Sequence, residues 1–248
     1  MSLAGELRKV ADRLSTPGAK EARKLRVPLD LYRLYRRLGE LTQICTVFDV
    51  GANTGEFASW TAKCLPEASI HAFEPLTVCH ERLRAAAARH PGMSVHTCAL
   101  GDRAGMTEMF QNDYSPSSSL LPMEDRHREL WPKTAGDKAV EVEVRTLDDV
   151  VAETKAAGPA FLKLDVQGFE MHVLRGAEKA LANEVAIVMC ETLFEGLYEG
   201  QAEFLEMLRF LDERGFRFLE FADERRLGEN GRLIYADAVF VRRELRYS

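Results

Sequence analysis

Four acids stand where an open sheet would expose them: Asp49 in TVFDVGANTGEF, Glu74 closing SIHAFEP, Asp165 closing FLKLD and Glu191 closing VAIVMCE. Each ends or nearly ends a short apolar, β-branched run, the composition of a buried strand. Carboxyl ends of strands in such a sheet form one rim, where ligands bind, so the four acids are expected to converge. Carboxylates there can hold ribose hydroxyls, meet an ammonium or take a proton from an alcohol. Lys163 shares a strand face with Asp165 because side chains alternate. A lysine inside a central strand needs a partner, and a Lys163–Asp165 ion pair is expected.

The turn after the first strand narrows the ligand. Gly51, Asn53 and Gly55 lead into a helix, placing backbone N–H groups and a helix start at a strand tip. Glu74 follows about 20 residues on, suiting a ribose. The dinucleotide fingerprint G-x-G-x-x-G makes room for a pyrophosphate, but Asn53 stands where its second glycine belongs. S-adenosylmethionine (SAM) has no phosphate, and the ammonium of its amino-acid tail can be met by Asp49. The turn reads as a SAM turn. A nucleotide-linked oxidoreductase or epimerase is the alternative enzyme, disfavoured by Asn53 and by the lack of a Tyr-x-x-x-Lys dyad. A SAM-binding scaffold without turnover is the alternative outside enzymes.

Strands and helices alternate around these residues, which predicts a mainly parallel α/β sheet. Strands are expected over Thr46–Val50, Ser69–Phe73, Ser94–Leu100, Phe161–Asp165 and Val185–Glu191. Crossover helices are expected over Glu56–Leu65, Thr77–His90 and Leu147–Lys155, with a further helix after Gln167 and another over Gln201–Arg214. Phe216–Phe221 and Tyr235–Arg242 close the chain as a hairpin, with at least one strand antiparallel to the rest. Residues 1–44 form an N-terminal helical extension before a domain over 45–248. Its Leu25–Leu41 stretch is expected to pack on the sheet, or to serve as a lid with Tyr32, Tyr35 or its arginines facing substrate. Residues 103–146 interrupt the alternation. Met106–Phe110 and Ala139–Arg145 read as antiparallel strands flanking a long Ser- and Pro-rich segment, which is expected to be a lid. Ser117, Ser118, Ser119 and Asn112 are candidates to contact or gate a cofactor, and His127 and Trp131 to line an acceptor pocket. Ala99 either borders an adenine ring or is a plain strand end. Glu170 is expected to be stabilised by a helix dipole, and His172 to be a surface residue.

Composition bounds the rest. The 248 residues are 46% apolar, enough for one substantial core, and the net charge of −6 argues against a nucleic-acid partner. No apolar run is long enough to span a bilayer, and MSLAGELRKVADRL lacks a signal core, so a cytoplasmic protein is expected. The five cysteines (Cys45, Cys64, Cys79, Cys98, Cys190) form no CxxC pair and read as reduced core residues, not a disulfide framework or zinc site. No ligand spacing argues for a metal.

Together VFDVGANTGEFA, IHAFEP, ALGD, SSSLL, RTLDDV and LKLDVQGFEMHVLRGAEKAL resemble the FkbM family of SAM-dependent methyltransferases, over roughly Val47 to Glu191. The family usually reads DVEGxE after the fourth strand. Here Gln167 takes the place of that glutamate and removes its charge. The resemblance implies a Rossmann-like class I methyltransferase fold with a seven-stranded, doubly wound sheet whose last strand is antiparallel. It implies methylation of hydroxyls on sugars, glycolipids, polysaccharides or polyketide-type products. It also implies SAM contacts at Asp49, Gly51, Asn53, Gly55, Glu74, Ala99 and Ser119 and, beside them in the same motifs, Phe57, Pro75 and Leu100, with Asp165 at the boundary with substrate. The expected chemistry is in-line transfer to an acceptor oxygen, releasing S-adenosylhomocysteine (SAH). Asp165 or Glu191 would act as base, and Lys163 would hold one of them ionised or steady the alkoxide. The expected partner is a small-molecule or glycan acceptor, and a homo-oligomer is compatible with the chain.

Overall fold

The computed structural model describes residues 17–134, 136–228 and 231–247. The expected helical extension over residues 1–16 lies outside the described residues. From residue 17 the helical stretch is two helices, α1 (Ala19–Leu25) and α2 (Leu29–Leu41). They are parted at Arg26, which is left-handed (φ 56°), and at Pro28, which has no N–H to continue a helix. The chain then runs β1 (Thr46–Val50), α3 (Glu56–Cys64), β2 (Ser69–Phe73), α4 (Thr77–Ala87) and β3 (Met93–His96). Next come β4 (Ala99–Leu100), β5 (Gly105–Asn112), α5 (Asp125–Leu130), β6 (Asp137–Arg145), α6 (Leu147–Thr154) and β7 (Ala160–Leu164). It ends with α7 (Glu170–Arg175), α8 (Glu178–Asn183), β8 (Val185–Leu193), α9 (Phe204–Glu213), β9 (Phe216–Leu227) and β10 (Arg232–Arg242).

Seven strands form the main sheet in the order β3-β2-β1-β7-β8-β10-β9, and all its pairings are parallel except those of β10. This is the doubly wound class I methyltransferase sheet, with the last strand inserted antiparallel between β8 and β9. Helices cover both faces, so β1, β7 and β8 are buried along their whole lengths. One face packs Phe48, Leu162 and Val188 on the stripe Val173, Leu174, Ala177 and Leu181, which spans α7 and α8 across a break at Gly176. The other packs Val47, Phe161 and Ile187 against Leu34 and Leu38 of α2 and Leu83 of α4.

Two expectations change here. Ser94–Leu100 is not one strand: β3 stays in the main sheet, while Ala99 and Leu100 turn out to pair with Val144 and Arg145 in a second sheet, β4-β6-β5. A distant segment competes for their backbone, and no local pattern records it. The N-terminal lid reading also gives way. Tyr35 is buried, shares a hydrogen bond with Thr61 and packs edge-on against Phe161, while Arg37 pairs with Glu220 at 2.6 Å. Among the described residues no helix is long and apolar enough to cross a membrane. Cys79, Cys98 and Cys190 are buried, and all five cysteines are free thiols.

Candidate active site

The strand order reverses between β1 and β7, and the loops leaving these two strands flank a crevice at their carboxyl ends. The two loops touch. Gly51 has φ 79°, and a Cβ there would sit 1.9 Å from the carbonyl oxygen of Asp165. Only glycine fits. Asn53 (φ 46°) and Gln167 (φ 54°) take the left-handed conformation as non-glycine residues, so each loop holds a strained residue beside the crevice.

Two cavities meet at this point. The first is a narrow cleft of about 80 Å³, bounded by Gly51, Asn53, Glu74, Pro75, Ala99, Leu100 and Asp165, with apolar walls from Leu76, Met109, Leu120 and Phe169. Glu74 is 4% exposed. Its two oxygens accept from the backbone N–H groups of Asn53 (2.9 Å) and Leu76 (2.8 Å). Burial nevertheless pushes its pKa up to about 7. Asn53 Nδ2 donates to Ser115 Oγ at 3.1 Å, which ties the β1 loop to the inserted segment across the cleft. The second cavity is wide, about 650 Å³, and is lined by Tyr114, His127, Trp131, Leu193, Leu197, Lys133, Arg225 and Tyr235. Asp165 and Gln167 line both cavities, whereas Glu191 faces only the wide one.

Polar groups beneath the junction are arranged by strand register. Asp49 lies directly opposite Lys163 on neighbouring parallel strands, so their side chains share a face. The Lys163 ammonium sits 3.1 Å from Asp49 Oδ1 and 3.6 Å from Asp165 Oδ2, and donates to the Gly51 carbonyl at 3.2 Å. Burial opposes its charge, but Asp49 and Asp165 outweigh it and raise the pKa, so Lys163 stays cationic. Burial pushes Asp49 up, with Lys163 opposing. Glu191 rises well above the usual carboxylate range through burial, then through Asp165, Glu170 and Asp237. Gln167 Nε2 donates to Asp165 Oδ1 and to Glu191 Oε2, both at 2.8 Å.

Several candidates lie elsewhere than expected. Asp49 is fully buried and does not line the cleft: the ammonium it meets is that of Lys163. Lys163 borders neither cavity, which removes it from an alkoxide and leaves it as the counterion of Asp49 and Asp165. Gly55 caps α3 against Leu83, and Phe57 packs against Tyr35 and Phe161, both away from the cleft. Ser119 is a brace, donating to the Gln167 carbonyl at 2.7 Å, while Ser115 and Ser118 line the cleft instead. Glu170 is 3% exposed and accepts from the N–H groups of Val166 and Gly168, so it holds the β7 loop and does more than complement a helix dipole.

Three residues of the site were not singled out in the sequence. Asp237 lies opposite Glu191 across β8 and β10, and burial and then Asp165 push it up to about 7. A lone acid inside YADAVFV is the signal that marks it. Tyr235 lines the wide cavity from the same strand. Tyr198, 2% exposed, donates to Gln167 Oε1 at 2.9 Å and lies 3.3 Å from His127 Nε2.

This sheet order, with paired cavities at its switch point, defines a class I methyltransferase fold. Residues 49–218 match the model of the methyltransferase FkbM domain, and the chain belongs to that family. It is 36% identical over 170 residues to the 31-O-demethyl-FK506 methyltransferase FkbM of Streptomyces tacrolimicus, covering 60% of this chain and 65% of that one. Methyltransferase sdnD of Sordaria araneosa is 29% identical over 193 residues, 68% of this chain and 73% of that one. The hexuronic acid methyltransferase AglP of Haloferax volcanii is 28% identical over 159 residues, 64% of this chain and 60% of that one. The chain thus spans less than two thirds of the length of the first and third of these relatives.

Proposed function

We propose that the chain is a SAM-dependent O-methyltransferase acting on a hydroxyl of a sugar, glycolipid, polysaccharide or natural-product acceptor. The observation that carries this reading is the pair of carboxylates, Asp165 and Glu191, bridged by one amide where a narrow cleft opens into a wide cavity. The narrow side suits the cofactor. Its apolar walls match a purine, Glu74 presents a carboxylate at the tip of β2 for ribose hydroxyls, and the missing Cβ of Gly51 lets the two loops close on one another. When bound, SAM would supply a methyl carbon on a cationic sulfur for in-line transfer to an acceptor oxygen, the C–S electron pair leaving with sulfur as SAH.

The chain's own groups align and deprotonate. An alcohol is a poor nucleophile until its proton begins to leave, and a positioned base contributes about 10²–10⁴-fold. Glu191 has the placement for that base, because it faces only the wide cavity and burial keeps its proton affinity high. Asp165, 3.6 Å from the Lys163 ammonium, stands at the junction and faces the developing charge change. Trp131, Tyr114 and Tyr235 offer aromatic walls to an acceptor ring. Two relatives are named for 31-O-demethyl-FK506 and for a hexuronic acid, both oxygen-bearing acceptors, which supports oxygen as the target. Calorimetry with SAM, SAH and NADPH tests the class: micromolar binding of SAM and SAH alone is expected, followed by transfer of labelled methyl to an acceptor in cell extracts. Binding of NADPH instead would move the chain to the oxidoreductases.

A further inference from the structure

Gln167 stands between the two carboxyl groups of the junction, and both ends of its amide are engaged. Its amide nitrogen lies 2.8 Å from Asp165 Oδ1 and 2.8 Å from Glu191 Oε2, and its carbonyl oxygen 2.9 Å from the Tyr198 hydroxyl. In this orientation the NH₂ group supplies two hydrogens, one for each carboxyl group. Tyr198 fixes the same orientation from behind, and its own hydroxyl is held near His127 Nε2 and the Ser117 carbonyl in the wall of the wide cavity.

We propose that Gln167 is the positioning residue of the carboxyl pair: oriented by Tyr198, its amide holds the side chains of Asp165 and Glu191 side by side where the two cavities meet, so that one can accept the acceptor's proton. This rests on the methyl-transfer reading above for its role, though not for its test. The groups facing the pair are Asp49 on β1, Lys163 on β7, Glu170 on α7, Tyr198 on the loop after β8, Asp237 and Tyr235 on β10, Arg225 on β9 and His127 on α5, with Asp223 of β9 behind Tyr235 and Asp237. Lys163 is the one buried cation named among them, and it is already shared by Asp49 and Asp165. A glutamate of the same length at 167 would set a third carboxyl about as close to the other two. Three carboxyls at that range repel one another as anions, so the cluster would hold one proton more near neutral pH than it does with the neutral amide.

The experiment compares Gln167→Glu, Gln167→Met and Tyr198→Phe with the unaltered chain. Infrared titration of the purified chains counts protonated carboxyls without any need for turnover. Gln167→Glu is expected to carry one more near neutral pH, and an equal count would overturn the proposal. In the methyl-transfer assay the acid limb of kcat should move up by about one pH unit or more in Gln167→Glu, with activity regained at higher pH. Gln167→Met and Tyr198→Phe should lose kcat about tenfold or more, and in Tyr198→Phe, whose side chain does not line the cleft, KM for SAM and SAH affinity should hold. An unshifted profile, or a KM that moves with kcat in Tyr198→Phe, would contradict a positioning role. Absence of transfer by the unaltered chain would count against the methyl-transfer reading alone, because the carboxyl count still decides the proposal.

Discussion

The two cavities are built by opposite means. The narrow cleft takes its floor from strand tips and the turns that follow them, with Met109, Ser115, Ser118 and Leu120 of the insertion closing it, and its main polar group, Glu74, is held by backbone N–H groups within those turns. The wide cavity is made of side chains from segments far apart in sequence: Tyr114, His127 and Trp131 from the insertion, Leu193 at the end of β8 and Leu197 after it, Arg225 and Tyr235 from the last hairpin. A site made of backbone turns is tied to the sheet and serves a constant ligand. A site made of side chains on inserted loops changes with those loops, which suits a family whose relatives are named for different acceptors.

Substitutions at the junction and on either side sharpen this contrast. The largest effect is expected from Glu191→Gln, with kcat down about 10²-fold or more and SAH affinity unchanged, since Glu191 does not touch the cleft. Full turnover in both Glu191→Gln and Asp165→Asn would remove the base from the account. Lys163→Met leaves Asp49 and Asp165 without their cation, and should cost about 3–5 kcal/mol in urea unfolding. Glu74→Ala and Trp131→Ala form a crossed pair. The first should weaken SAH binding about tenfold with little change in acceptor KM, and the second should do the reverse. Equal effects on both ligands from either variant would mean that the cavities are one.

The smallest effect concerns the outer edge behind the cleft. His71 and His96 share a contact of 3.0 Å, and His96 stacks on Phe73. Burial, and then His71, lowers His96 to about 4, and burial lowers His71. Both folded values lie below the unfolded imidazole near 6.5, so the unfolded chain binds more protons below that pH. The stability of the pair is therefore complete above about pH 6.5 and is lost as pH falls toward 4. His96→Asn should flatten this part of the melting temperature against pH, and an unchanged slope would refute the pairing.

The same contrast explains what was legible in the sequence. Gly51, Asn53, Glu74 and Asp165 announce themselves locally, because each sits at a strand end with its turn chemistry beside it. Asp49 shows where local reading stops: its tip position is visible, but the register that sets it against Lys163 instead of a ligand is not. Ala99 and Leu100 joined the wrong strand because their partners, Val144 and Arg145, come from a segment more than forty residues away. Asp237 lay hidden in an apolar strand, and Tyr198 in a loop whose bridge to Met123 no pattern encodes. Gln167 was visible only as a missing charge, and its function as a two-way donor needs both carboxylates in place.

A crystal structure with SAH bound tests the division of labour most directly. The account predicts adenosine in the narrow cleft with its ribose on Glu74, the sulfur directed at the Asp165–Gln167 junction, and the wide cavity left open to an acceptor. A nucleoside lying instead against Trp131 and Tyr235, with the cleft still closed by Asn53 and Ser115, would contradict it.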